Sequence, residues 1–112
     1  MKTNRILGSF ESMLLLSVLG LGEEAYGVAI RRDLIKKAYK DVAIGAIYTG
    51  LERLRRKGLV ESWLGEPTRE RGGRAKRYYR LTAKGLKALA QTQRATQNLM
   101  AGLRLSVGNA DA

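Results

Sequence analysis

The spacing of apolar residues changes period midway along this chain, and that change limits the architectures open to it. Over residues 44–57 apolar side chains recur at Ile44, Ile47, Leu51 and Leu54, the repeat of an amphipathic helix. Gly58 follows the basic turn Arg55, Arg56 and Lys57 and is a natural helix exit. Beyond it, residues 59–65 and 76–82 alternate, with Val60, Leu64, Tyr79 and Leu81 suited to an inner face and Arg80 to an outer one. Pro67 and the pair Gly72 and Gly73 lie between these stretches, which therefore read as the arms of a hairpin. The expected fold is mainly α with a small β-hairpin.

Helical patterns flank this region. Ser9 is the expected N-cap of a helix over residues 10–21, where Phe10, Met13, Leu14, Val18 and Leu21 form one stripe. Leu15, Leu16 and Leu19 occupy the rest of its surface, and a helix without a polar face has to be covered all round. In so small a domain a partner chain is expected to cover one side. Gly20 and Gly22 end this helix, and a second pattern over residues 26–39 turns Tyr26, Ile30 and Leu34 inward, with Ala29, Arg32, Asp33 and Lys36 opposite.

Thr82 should cap a last helix, along which Leu86, Leu89, Gln93, Thr96, Met100, Leu103 and Val107 are spaced alternately three and four apart. That is a heptad-like seam, widened by Leu99 and Leu105. The expected dimer interface joins Leu15, Leu16 and Leu19 to Leu86, Leu89, Gln93, Thr96, Met100 and Leu103. Residues 1–82 would then form the domain proper, 83–107 a dimerisation helix and 108–112 a frayed tail.

Composition narrows the function. A chain of 112 residues fits one domain, and its net charge of +11 points to an anionic partner. Residues 31–80 hold fifteen Lys and Arg against six Asp and Glu, so +9 of the +11 lies there. With neither cysteine nor histidine, thiolate chemistry and the commonest metal ligand and general base are missing. The ten acidic residues lie mostly on amphipathic helix surfaces and form no catalytic constellation, so no enzyme, metal or cofactor is expected. The apolar run 13–21 is interrupted upstream by Glu11 and is far short of the roughly 20 residues of a membrane span; it reads as a core helix rather than a signal peptide. The segment GLGEEA at 20–25 matches a dinucleotide-binding pattern, but Glu23 and Glu24 would stand where pyrophosphate binds, and the match is read as coincidence.

Three helices followed by a hairpin with a basic tip is the element order of a winged helix-turn-helix. In such proteins the second helix of the motif enters the DNA major groove with its N-terminal residues against base edges. Here that helix is 44–57, and its outer face carries Gly45, Thr49, Glu52, Arg53 and Arg56, with Ala46 and Tyr48 towards its edges. Small side chains allow close approach, while the arginines suit phosphate or guanine. The wing would bring Arg69, Arg71, Arg74, Lys76 and Arg77, around Gly72 and Gly73, to the flanking backbone or minor groove. Two rivals share the charge: a sequence-independent architectural DNA- or RNA-binding protein, and a module that docks an acidic protein.

The chain also resembles the PadR-like winged-helix transcriptional regulators over roughly residues 7–90. The resemblance rests on LGSFESMLLLSVL, AYGVAIRRDL, IGAIYTGLERLRRKGLVES and GGRAKRYYRLTAKG. It implies a bacterial, cytoplasmic homodimer, built by the last helix packing on the first helix of the other subunit, that represses transcription from a palindromic operator in double-stranded DNA. The end of the chain soon after one C-terminal helix is similar to the short subfamily. A small apolar effector would fit between the first and last helices at the dimer interface, although nothing in the sequence identifies one.

Overall fold

The structure, a computed structural model, describes residues 6–38, 41–66 and 75–103. In chain order it comprises α1 (Ser9–Leu21), a 3-10 turn (Gly22–Glu24), α2 (Gly27–Lys37), α3 (Ile44–Arg56), β1 (Val60–Leu64), β2 (Arg77–Leu81) and α4 (Ala83–Met100). β1 and β2 pair antiparallel, with Val60 opposite Leu81 and Leu64 opposite Arg77. This is the winged helix-turn-helix order expected from the change of period at Gly58, whose φ of 78° is the left-handed conformation that glycine adopts without strain.

α1 is the hub, in contact with α2, α3, β2 and α4. Its Leu14, Leu15 and Val18 are buried with Ile30 and Leu34 of α2 and with Ile47, Leu51 and Leu54 of α3. Each such leucine contributes about 2 kcal/mol by leaving water. The hairpin joins this core through Val60 and Tyr79, and the Tyr79 amide donates to the Ala25 carbonyl at 2.9 Å, anchoring β2 to the segment before α2.

Two glycines permit close crossings. A Cβ at Gly50 would lie 2.5 Å from Leu14 Cδ1, so this mid-helix glycine lets α3 sit tightly on α1. A Cβ at Gly85 would lie 2.0 Å from the Leu59 carbonyl oxygen, so α4 passes directly over that backbone. Thr82 caps α4 as expected: its hydroxyl accepts from the Gly85 amide at 3.0 Å and donates to the Gly58 carbonyl at 2.6 Å.

Some expectations change. Gly8, in an extended conformation, holds the N-cap position of α1, and Ser9 is its first helical residue. Ala29 and Asp33 do not face open solvent, because α2 is packed by α1 on one side and α3 on the other. Ala29 is buried, and Asp33 accepts from Ser17 Oγ at 2.8 Å and pairs with Lys37 at 3.0 Å. Burial opposes ionisation of Asp33, but these hydrogen bonds hold its carboxyl below its ordinary range. Ile44, in the first turn of α3, is 38% exposed, and Leu64 is exposed at the far end of the hairpin, beyond the reach of the helices. α4 ends at Met100: Ala101 leaves the helix with ψ of 129° and Gly102 turns the chain with φ of 81°. Leu103 is therefore off the helix, and Leu105, Val107 and residues 108–112 lie outside the described residues.

Gly85→Ala is expected to destabilise the fold by about 3 kcal/mol or more, because its clash is with backbone. Gly50→Ala should change stability by only about 1 kcal/mol, since a movable Leu14 methyl is its neighbour and alanine gains helix propensity. Urea unfolding of the two variants measures the difference.

Candidate nucleic-acid interface

The turn into α3 is fixed by Arg31, whose Nε donates to the Val42 carbonyl at 2.7 Å. At the other end of the helix Lys57 Nζ donates to Glu11 on α1 at 2.6 Å. Held at both ends, α3 exposes Gly45, Ala46, Tyr48, Thr49, Arg53 and Arg56. The first turn and a half of that face is small or aromatic and the remainder basic. Tyr48 belongs to both surface and interior: it is 45% exposed, yet its ring fills the space a Cβ of Gly27 would need.

Glu52 lies on the same face, one turn beyond Tyr48 and Thr49. Its carboxylate accepts from Arg55 Nε and Nη2 at 3.0 and 2.6 Å and from Arg56 Nε at 3.4 Å. Hydrogen bonding from Arg55, reinforced by the charges of both guanidiniums, lowers the Glu52 pKa from 4.5 to about 2. The expected role of Arg56 as a free cation is thus modified by an acid that periodicity placed on this face without a function. The signal was present as the i, i+3 and i, i+4 spacing of opposite charges. The Arg53 side chain makes no hydrogen bond or ion pair among the described residues.

The hairpin stem has two unlike faces. Val60, Ser62, Tyr79 and Leu81 lie on the side turned to the helices; Glu61, Trp63, Tyr78 and Arg80 lie on the other. On that second side Trp63 stacks on Tyr78 with ring centroids 6.1 Å apart, and Tyr26 meets Tyr78 edge-on at 5.6 Å. Cations close both ends of the ladder, with Lys76 4.4 Å above Tyr26 and Arg80 5.1 Å above Trp63. Lys76, read from sequence as a wing cation, is therefore also part of the stem's packing. Arg77 donates to Ser62 Oγ at 3.0 Å and, with Glu52 and Arg55, lines a cleft between α3 and the hairpin. Arg69, Arg71, Gly72, Gly73 and Arg74 lie outside the described residues.

The surface assigned to a partner chain divides. Leu16 and Leu19 on α1 are 43% and 50% exposed, and Leu86, Gln93, Thr96, Met100 and Leu103 are also exposed. Leu15 and Leu89 are not available to a partner, because both are enclosed in the core of the single chain. Leu99, which widens the seam, is 79% exposed. Sequence reading missed Thr92, whose buried hydroxyl accepts from the Leu7 amide at 3.0 Å and donates to the Ala88 carbonyl at 2.9 Å, tying the segment before α1 to α4.

Among the described residues no group of acidic side chains could hold a metal ion, and no helix is long and apolar enough to cross a membrane.

The model of the transcriptional regulator PadR-like family matches residues 15–91. Solved structures share the fold. A PadR-like transcriptional regulator from Bacillus cereus is 27% identical, with 82% of this chain and 84% of that one covered and a TM-score of 0.68. A PadR-like transcription factor from Bacteroides fragilis is 30% identical over 82% and 84% of the two chains, with a TM-score of 0.66. The protein in the hsRosR-S4 complex structure is 31% identical over 90% and 80%, with a TM-score of 0.67. No curated protein sequence matches significantly.

The depressed pKa of Glu52 carries a sign. Its ion pairs act fully above the ordinary value of 4.5 and are lost as pH falls through about 2. A carboxyl-detected NMR titration should show this midpoint, and Arg55→Gln should move it back towards 4.5.

Proposed function

The chain belongs to the PadR-like family of transcriptional regulators, and on that premise we propose that it is a sequence-specific DNA-binding repressor, acting as a homodimer on a palindromic operator in the bacterial cytoplasm. The family is one of transcriptional regulators, not enzymes. The observation that carries the reading is the outer face of α3, where exposed Gly45, Ala46, Tyr48 and Thr49 precede the exposed Arg53 and Arg56 beside a cationic hairpin stem. Small side chains at the start of such a helix admit it to the major groove, with Thr49 against base edges. Arg53 and Arg56 serve the phosphates on the groove wall. Arg69, Arg71, Arg74, Lys76 and Arg77 of the wing, around Gly72 and Gly73, would reach the flanking backbone or minor groove.

Dimerisation gives the exposed apolar surface an occupant. Leu16 and Leu19 of one subunit would pack against the partner's last helix, with Leu86, Gln93, Thr96 and Met100 along the seam. Residues 83–107 form the dimerisation segment and residues 1–82 the DNA-binding domain in this reading. The rigid pairing would hold two α3 helices about one helical turn of DNA apart, roughly 34 Å.

Fluorescence anisotropy against DNA from upstream of the protein's own gene and a scrambled duplex, over a salt series, tests the reading. A preference of about a thousandfold supports it; equal affinity, with no site emerging from a selection on random duplexes, rejects it in favour of an architectural protein. Replacing Arg74 and Arg77 by Ala should weaken binding to all sequences alike and lower the salt slope by about two. Thr49→Ala should instead alter the preferred sequence. Leu16→Glu combined with Leu86→Glu should convert a dimer to a monomer in sedimentation velocity, with far-UV circular dichroism retained.

A further inference from the structure

We propose that Glu52 is a specificity-determining residue, which suppresses binding to non-cognate DNA by keeping Arg55 and Arg56 in ion pairs and by setting a carboxylate in the middle of the groove-facing surface. The inference rests on the site-specific reading above.

Glu52 stands one turn after Tyr48 and Thr49 and one turn before Arg56, between the small and the basic parts of the α3 face. Its contacts are not incidental to the DNA side. Arg55 engages it with two hydrogen bonds, at 3.0 and 2.6 Å, and Arg56 with a third at 3.4 Å. Arg55 also lines the cleft that α3 forms with the hairpin, where Ser62 and Arg77 face it. Without Glu52, Arg55, Arg56 and Arg77 would be three cations beside one path for a DNA backbone.

Sequence-independent affinity grows with the number of phosphates that cations neutralise, because each releases condensed counterions. A phosphate approaching Arg55 or Arg56 can use the guanidinium N–H groups that Glu52 leaves open, but it meets the carboxylate as a like charge and shares the cation with it. At base edges a carboxylate accepts from an amino group, such as N4 of cytosine, and finds only repulsion from the acceptor atoms of guanine or thymine. The penalty is relieved where a donor lies opposite and persists elsewhere. Among the described residues, Asp33 with Lys37 and Glu11 with Lys57 pair off this face, whereas Glu61, paired with Arg80, lines the cleft from the hairpin side.

The test uses the full chain. Random duplexes are selected with the unmodified protein, and affinities for the selected and scrambled duplexes are measured for it, for Glu52→Gln and for Glu23→Gln, which removes the same charge from the exposed 3-10 turn. Glu52→Gln is expected to bind the scrambled duplex about tenfold more tightly, with a salt slope steeper by roughly one to two. The selected duplex should gain less, so that their ratio falls, while Glu23→Gln moves both duplexes slightly and equally. An unchanged ratio for Glu52→Gln, or equal shifts in the two variants, overturns the proposal and leaves the site-specific reading intact. Failure of the unmodified protein to select any sequence overturns both.

Discussion

The crossing of α4 over the backbone at Leu59 is the contact on which the relative placement of α3, hairpin and last helix depends. Leu59 donates its amide to the Leu54 carbonyl at 2.9 Å, closing α3, and accepts from the Thr82 amide at 3.1 Å, joining the end of the hairpin. The Thr82 hydroxyl bridges the Gly58 carbonyl and the Gly85 amide, so the exit of α3 and the entry of α4 share one side chain. Only glycine at 85 lets the helix come this near. Backbone groups that helix ends would otherwise leave unpaired are satisfied within this junction.

Charge is distributed around that frame with little bearing on stability. The exposed pairs Arg55 with Glu52 and Arg80 with Glu61 join side chains largely open to water, where solvent screening leaves such contacts little weight in stability. What they decide is which cations remain uncommitted. On α3 that is Arg53, which makes no ion pair among the described residues, while Arg55 and Arg56 converge on one acid. A net +11 thus overstates the positive charge that α3 offers at once.

Much of this was legible from periodicity. The change of period at Gly58, the α3 core positions Ile47, Leu51 and Leu54, and the Thr82 cap follow from spacing and local chemistry alone. What spacing could not show was tertiary context. A helical wheel gives α2 one inner face, yet α1 and α3 pack it from two sides and bury Ala29. It likewise put Leu15 and Leu89 on a surface that neighbouring elements of the same chain already cover. Nor could it show that Gly50 and Gly85 have neighbours, Leu14 and the Leu59 backbone, that need their missing side chains. The outer α3 residues were identifiable because exposure there is set by the helix itself; spacing allowed Glu52 to pair with Arg55 and Arg56, and side-chain conformations show that both pairs form.

The two faces of α3 also bear on how such a protein can change over generations. Ile47, Gly50, Leu51 and Leu54 are committed to the interior, whereas Gly45, Thr49 and Arg53 touch solvent and bear no part of the packing. Substitutions can accumulate on the outer set without disturbing the fold, so a lineage can re-aim this helix at new surfaces by drift rather than by redesign. Tyr48 is the exception. Its ring lies against Gly27 of α2, and any replacement there alters the outer chemistry and the joint between α2 and α3 together, making it the position where divergence of recognition and of architecture are coupled.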